Sequence, residues 1–480
     1  MTTTTGMLIG GSWTEGAASE TIPVRSPATG DLLAEVPSAS RADVDAAVAA
    51  ARDGRRALER LTEYERAELL HAAADLIQRD AEQIARDLAL EQGKPWRTEA
   101  VEEVEETAGN FRMAAEDVKR LDTRVIPAER RGKMVFTFRK PNGVYAVITP
   151  WNFPLMIPSE LIAPALATGN AVILKPSEYT PLAGRRLVEL LEQAGFPAGS
   201  VNLVYGAREV GDALVTHPGV DAIAFVGSHT TGEAIVRAAG LKRTLIEASG
   251  NGPLIVLGDA DVDAAAAAAV EGAAYLAGQV CVATERVLVA REVHEELLQR
   301  VLAHGQSVVL GDPLAESTTM GPLNNAAVAA KMDRHMQDAA ETGARVVTGG
   351  ARAAGFPTDL YYPLTVVDAV PTESLLFREE SFGPVVPLTA FDSDDEAIEL
   401  ANRSHLGLQA AVFTSSLKRA FRFVHELRTG GIQVNESVGY WEGRPPFGGA
   451  AGTKTGWGRI QLEDFTDLRT ATIDYLNTRD

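Results

Sequence analysis

Cys281 is the only cysteine in a chain of 480 residues, and it stands in the small-residue run AYLAGQVCVATERV. A free thiol in such a run is either buried packing or a nucleophile, because cysteine behaves as a small hydrophobe unless its surroundings favour the thiolate. Four other segments bear on that choice. In TPWNFP, Asn152 lies between Trp151 and Phe153 just past an apolar run, where a strand would leave the C-terminal edge of a parallel sheet and ligands collect. Its amide either forms the turn or donates to a developing oxyanion. In KPSE, Lys175 and Glu178 either grip the hydroxyls of a ribose or form a solvated loop pair. FVGSHTTG sets Gly227 and Ser228 between strand and helix, where unpaired amides attract phosphate. Its spacing is neither the Gly-x-Gly-x-x-Gly fingerprint nor a P-loop, so it points to phosphate without naming a nucleotide. Finally, Glu247 in LIEASGNGP is either a surface carboxylate or a base that precedes the cysteine.

The elements that must position these residues are legible in outline. Thr62 with Glu65, and Ser40 with Asp43, read as capping boxes that open helices, and the region before about residue 140 reads as helical. From Val144 onward, strand-like runs alternate with helical ones: VYAVI, AVILK, VNLV, DAIAFV and RTLIEA, then PLIVL, RVLVA, ARVVTGG and PLTVV. That alternation predicts two parallel α/β units in tandem. Strand material from Arg124 to Phe138 and in the C-terminal FTDLRTATIDYL falls outside both units, as strands that serve assembly often do.

Composition narrows the function. A chain this long exceeds one hydrophobic core, so two or three domains are expected. A net charge of -20 argues against a nucleic-acid partner. The opening MTTTTGMLIGGSW lacks signal-peptide character, and no apolar stretch is long enough to span a bilayer, so no membrane partner is expected. A single cysteine forbids an internal disulfide, which suits a reducing cytoplasm. The eight histidines are scattered without ligand spacing, so no metal is expected.

The order of motifs carries more than any one of them. Amide loop, Lys/Glu loop, phosphate loop, carboxylate and cysteine are followed by EESFGPV at 379–385 and PFGG at 446–449. From about Ile9 to the C-terminus, this order resembles the aldehyde dehydrogenase superfamily. The resemblance implies two tandem Rossmann-like parallel α/β domains plus a small projecting β element for oligomerisation. Residues 1–122 and 142–249 would bind the dinucleotide, 250–449 would form the catalytic domain, and 123–141 with 450–480 would pair subunits into a dimer or tetramer. It also implies that Cys281 is the nucleophile, Glu247 the base that activates water and Asn152 the oxyanion amide. Lys175, Ser177 and Glu178 would contact the adenosine ribose, Trp151, Gly227 and Ser228 the adenosine and pyrophosphate, and Glu380 and Phe382 the nicotinamide end.

The implied reaction oxidises an aldehyde to its carboxylic acid through a cysteine thiohemiacetal and thioester, with NAD as cofactor and NADP possible. A glutamate near the ribose 2′ position favours NAD, since it meets a 2′-phosphate with like charge. By the same resemblance, Met156, Ile157, Val280, Val282, Tyr440, Trp441 and Phe447 line the substrate tunnel, and their mostly apolar or aromatic character fits an uncharged aldehyde. Arg444 offers an alternative, an anionic semialdehyde. Transfer of the thioester to coenzyme A is a second alternative, disfavoured because that branch typically lacks the glutamate found at 247. Two departures from the family pattern stand out: Glu247 is followed by Ala248, Ser249 and Gly250 where Leu-Gly-Gly is usual, and FGGAAGTKTG carries extra residues before Lys454.

Overall fold

The computed structural model describes residues 5–17, 20–440, 443–445 and 460–477. Two seven-stranded sheets organise the chain. In the first, Arg243–Ala248, Ala222–Gly227, Val144–Ile148, Ala171–Lys175 and Val201–Leu203 run parallel, in that spatial order. In the second, Thr365–Asp368, Val385–Phe391, Arg286–Ala290, Pro253–Val256, Gln409–Phe413 and Gly431–Val434 run parallel, with Arg345–Thr348 antiparallel at one edge. The central strands are buried along their whole length, as expected of sheets covered by helices on both faces.

Local chemistry sets the helix starts. Thr62 accepts from the Glu65 amide while the Glu65 carboxylate accepts from the Thr62 amide, and Ser40 with Asp43 does the same. Both helices, Arg41–Leu58 and Glu63–Arg79, begin where the sequence places them. No helix among the described residues is long and apolar enough to cross a membrane.

The region before residue 140 is not helical throughout. Four strands, Met7–Ile9, Ser12–Thr14, Thr21–Arg25 and Leu32–Pro37, precede the first helix. The first two form a hairpin over Gly10 and Gly11, both at positive φ, and join the edge of the first sheet through Leu8 opposite Leu203. Three residues are too few for strand periodicity to register, and the Gly-Gly turn is the signal that marks them.

A separate three-stranded sheet joins Thr466–Asp474 to Lys133–Pro141 antiparallel over nine residue pairs, with Val125–Ile126 at its other edge. Val125, Leu468 and Leu476 are exposed on or beside this sheet.

Candidate active site

Cys281 follows the helix Val262–Ala274 and a tight turn at Tyr275–Gly278. Leu276 and Ala277 in that turn both have φ of 52°, a left-handed conformation that side chains avoid unless the surroundings enforce it. The following residue, Gln279, is locked from three directions. Its Oε1 accepts from the Asn324 amide at 2.8 Å, its Nε2 donates to the Leu276 carbonyl at 2.8 Å, and its own carbonyl accepts from Nδ2 of Asn152 at 3.0 Å. Gly250 passes so close that a Cβ there would lie 2.0 Å from the Cys281 carbonyl oxygen.

Glu247 lies near the C-terminal end of its strand, 9% exposed, and faces the Cys281 thiol, which donates toward it. Its Oε1 is otherwise buried without a hydrogen-bond partner among the described residues. Burial pushes Glu247 up to about 7. The thiol is pushed well above its ordinary value, first by burial and then by the facing carboxylates Glu247, Glu380 and Glu160. Proton transfer from this thiol to Glu247 is therefore uphill, and the carboxylate is better matched to a water molecule placed beside the sulfur.

Asn152 is 3% exposed, on the loop that leaves the strand Val144–Ile148. A fully buried ion pair holds this loop. Lys94 pairs with Glu103 and donates from Nζ to the Asn152 carbonyl at 2.9 Å. Glu103 Oε1 in turn accepts from the amides of Leu155 at 2.8 Å and Met156 at 3.0 Å. Neither residue was found from the sequence. Glu103 lies in the run EEVEE, which reads as a solvated helix face, and Lys94 follows a helix far upstream of any motif.

A groove of about 590 Å³ on one side of Cys281 collects every residue expected at the cofactor: Trp151, Lys175, Ser177, Glu178, Gly227, Ser228, Glu380 and Phe382, together with Asn152 and Glu247. Lys175 is buried, which lowers its pKa, and it donates only to the adjacent Pro176 carbonyl, so two of its protons have no partner among the described residues. Ser228 caps the helix His229–Ala239, leaving that helix N-terminus at the groove wall. Phe382, at φ of 57°, meets Trp151 edge to face at 5.5 Å, and its amide and that of Ser381 donate to buried Glu285. Glu380 accepts from the Gly250 amide at 3.0 Å. A buried lysine with spare donors, a helix N-terminus and carboxylates beside Cys281 fit the ribose, phosphate and nicotinamide ends of a dinucleotide.

The departure after Glu247 has a structural counterpart. Ser249 has φ of 68°, where glycine costs nothing and a side chain is strained. Its hydroxyl accepts from the His229 amide at 3.3 Å and contacts Glu380, which ties the phosphate-side helix to the nicotinamide-side carboxylate.

On the other side of Cys281 lies a cavity of about 510 Å³, which shares Ile157, Phe225, Val226, Glu247 and Cys281 with the groove. Met156, Ile157, Val280, Val282 and Tyr440 line it as expected, whereas Trp441, Phe447 and the FGGAAGTKTG segment lie outside the described residues. One expectation needs correcting. Arg444 does not line this cavity but borders an adjoining cleft with Arg112, Arg120 and Glu116, a cleft that shares Glu106, Asn110, Glu160 and Gly443 with it. The walls are mostly apolar, as expected, but Glu102, Glu106, Glu160 and Glu271 also line them. These acids sit on helices remote from the quoted motifs: Glu102 and Glu106 share one face of Val101–Val118 by their four-residue spacing, and Glu160 lies on Met156–Ala167.

Comparison with known proteins agrees with this geometry. Residues 13–471 match the aldehyde dehydrogenase family. A mitochondrial succinate-semialdehyde dehydrogenase of Oryza sativa subsp. japonica is 37% identical over 478 residues, covering 98% of this chain and 89% of that protein. Among solved structures, an NAD-dependent aldehyde dehydrogenase from Sinorhizobium meliloti superposes with a TM-score of 0.95 at 33% identity, covering 100% of this chain and 96% of the other. An NADP-dependent enzyme of E. coli gives 0.94 at 34% identity, with 98% of each chain covered. The chain belongs to the aldehyde dehydrogenase family, and its activity is the NAD(P)-dependent oxidation of an aldehyde to the carboxylic acid.

Proposed function

We propose that Cys281 is the nucleophile of this oxidation, Glu247 its base and Asn152 its oxyanion donor. The observation that carries this reading is that Cys281, Glu247 and Asn152 line one groove, with Cys281 and Glu247 also opening to the second cavity. Cys281 loses its proton to solvent and adds as the thiolate to the aldehyde carbon. The amide nitrogen of Asn152 has two protons and donates one to Gln279, which leaves the other, with the Cys281 backbone N–H, for the developing oxyanion. Collapse of the adduct expels hydride and leaves a thioester on Cys281. A nicotinamide dinucleotide, held by Lys175, Ser177, Glu178, Trp151, Gly227, Ser228, Glu380 and Phe382, supplies the hydride acceptor when bound. Glu247 then takes a proton from the water that cleaves the thioester, and the carboxylic acid is released.

Glu178 beside the ribose site favours NAD over NADP. Two unit charges about 4 Å apart at an effective dielectric of 20 repel by roughly 4 kcal/mol, before rotamer relief and compensation by Lys175. Thioester transfer to coenzyme A is the rival outcome, and Glu247 supports hydrolysis instead. The name of the Oryza sativa relative supports a second reading, an anionic semialdehyde. We assign 1–122 and 142–249 to the dinucleotide domain, 250–449 to the catalytic domain, and 123–141 with 450–480 to assembly. Exposed Val125, Leu468 and Leu476 support pairing into a homodimer or homotetramer through that last element. A lone thiol suits the cytoplasm.

The test follows reduced-cofactor absorbance with an aldehyde panel, with and without coenzyme A, beside Cys281→Ala. Turnover independent of coenzyme A and lost in Cys281→Ala supports the assignment. Turnover retained by Cys281→Ala refutes it.

A further inference from the structure

The cavity that ends at Cys281 is lined by Glu102, Glu106, Glu160 and Glu271 in addition to Glu247, and no lysine, arginine or histidine lines it among the described residues, although Glu106 and Glu160 also border an adjoining cleft that holds Arg112, Arg120 and Arg444. Glu102 accepts a hydrogen bond from the Tyr275 hydroxyl at 3.3 Å. Glu106 and Glu160 have neither hydrogen bond nor ion pair among the described residues, unlike Glu103 behind them, which Lys94 neutralises. Glu102, Glu106 and Glu271 are exposed to solvent and Glu160 is half-buried, so a substrate that displaces water from them must itself satisfy their charge. Here the space they face is the one through which the aldehyde reaches the sulfur. The Phe153 ring already carries Lys94 Nζ at 4.3 Å, so the rings open to a substrate cation are those of Tyr275 and Tyr440, which border the same cavity. Aromatic faces beside carboxylates suit a positively charged nitrogen.

Given the aldehyde-oxidising role argued above, we propose that the substrate is a cationic aldehyde, an ammonio-alkanal whose nitrogen is held by Glu106 and Glu160 against the Tyr275 and Tyr440 rings. The product is then a zwitterionic amino acid. An anionic semialdehyde would bring its carboxylate among like charges, and a neutral chain would leave the acids unpaired.

The electrostatics of the cavity support this. Burial, then Glu106, Glu247 and Glu103, pushes Glu160 up to about 8, and burial, then Glu103 and Glu102, pushes Glu106 up to about 7. Glu271 is raised by burial with Glu436 and Glu102, and Lys94 opposes the shift only at Glu106 among these three. The mutual repulsion that holds protons on Glu106 and Glu160 is relieved when a cation lies between them. Cation binding therefore releases protons and strengthens as pH rises.

Steady-state kinetics on the full chain with NAD tests this with four probes of matched length: a trimethylammonio-alkanal, the primary ammonio-alkanal, the neutral aldehyde with carbon in place of nitrogen, and the carboxylate semialdehyde. The expected kcat/KM for at least one cationic probe exceeds that of the neutral isostere by tenfold or more and that of the anion by a hundredfold or more. Preference between the two cations reports whether hydrogen bonding or ring contact dominates. Its KM for the trimethylammonio probe, whose charge does not titrate, falls between pH 6.5 and 8.5 relative to the neutral isostere. The ratio of cationic to neutral kcat/KM drops at least tenfold in Glu160→Gln, and Glu106→Gln is read the same way should Glu160→Gln misfold. Oxidation of the neutral or anionic probe as well as or better than both cations overturns the cationic inference and leaves the aldehyde reading standing. Failure to oxidise any of the four sinks both.

Discussion

Lys94 reaches from the end of an N-terminal helix to donate a hydrogen bond to the Asn152 carbonyl at 2.9 Å, so a fully buried side chain fixes the loop that carries Asn152. Because Lys94 and its partner Glu103 are both fully buried, removing one leaves the other as an uncompensated charge. Lys94→Met is expected to cost about 3–5 kcal/mol of stability. It should also lower kcat at least tenfold while shifting aldehyde KM little. Adding Glu103→Gln removes the stranded charge and keeps an acceptor for the Leu155 and Met156 amides. Thermal melts of the double variant should therefore recover while kcat does not, and joint recovery would reduce Lys94 to a purely structural role.

Asn152→Ala should lower kcat by about a hundred- to a thousandfold, the usual cost of one oxyanion donor. Dinucleotide affinity, read by fluorescence titration, should stay near that of the parent. Comparable loss in both readouts would mean that the loop had collapsed.

Glu247 titrates at about 7 because it is buried, and its base form is the working one. Hydrolysis should therefore rise with pH through about 7 and level off above it. Glu247→Gln should lower steady-state turnover by roughly a hundred- to ten-thousandfold. A first-turnover burst of reduced cofactor should survive in rapid-mixing traces, since thioester formation then outruns its hydrolysis.

Glu178→Ala should raise the NADP to NAD ratio of kcat/KM by at least tenfold, as the repulsion of a 2′-phosphate disappears. An unchanged ratio in parallel titrations would remove Glu178 from cofactor choice.

Stability should fall as the pH rises from 6.5 to 8. Burial raises Glu91, Glu99 and Glu160 to about 8 and Glu247 and Glu285 to about 7, from an ordinary 4.5. In this window the unfolded chain has already lost these protons while the folded chain still binds them. The linkage slope is then negative, and the stabilising contribution of bound protons disappears by about pH 9. His217 and His335, lowered by burial from 6.5, oppose the trend only at the lower end of the window, where the unfolded imidazoles still bind protons. Scanning calorimetry should show Tm dropping by several degrees across the window, and a flat or rising Tm would contradict the burial of these acids.

What could be read from the sequence followed from how local its cause was. Both capping boxes were legible because Thr62–Glu65 and Ser40–Asp43 satisfy each other's amides within one helical turn. Part of the groove was legible because Asn152, Lys175, Ser228 and Glu247 lie at or just past the C-terminal ends of strands in one sheet, so strand order alone gathers them, while Glu380 and Phe382 reach it from before a strand of the second sheet. The Lys94–Glu103 clamp was not, since it depends on two helices docking under a loop some fifty residues later. The acidic wall was hidden for the same reason: on a helical wheel Glu102 and Glu106 look like any wet face, and only tertiary packing turns them toward the thiol's cavity. The short hairpin at Met7–Thr14 escaped because its pairing partner, Leu203, is distant in the chain.

Groove and cavity share Ile157, Phe225, Val226, Glu247 and Cys281, so the thiol can be approached from two sides. A bulky reagent fed from either side ought to cap the same sulfur, and two such plugs of different shape should exclude each other at that shared neck.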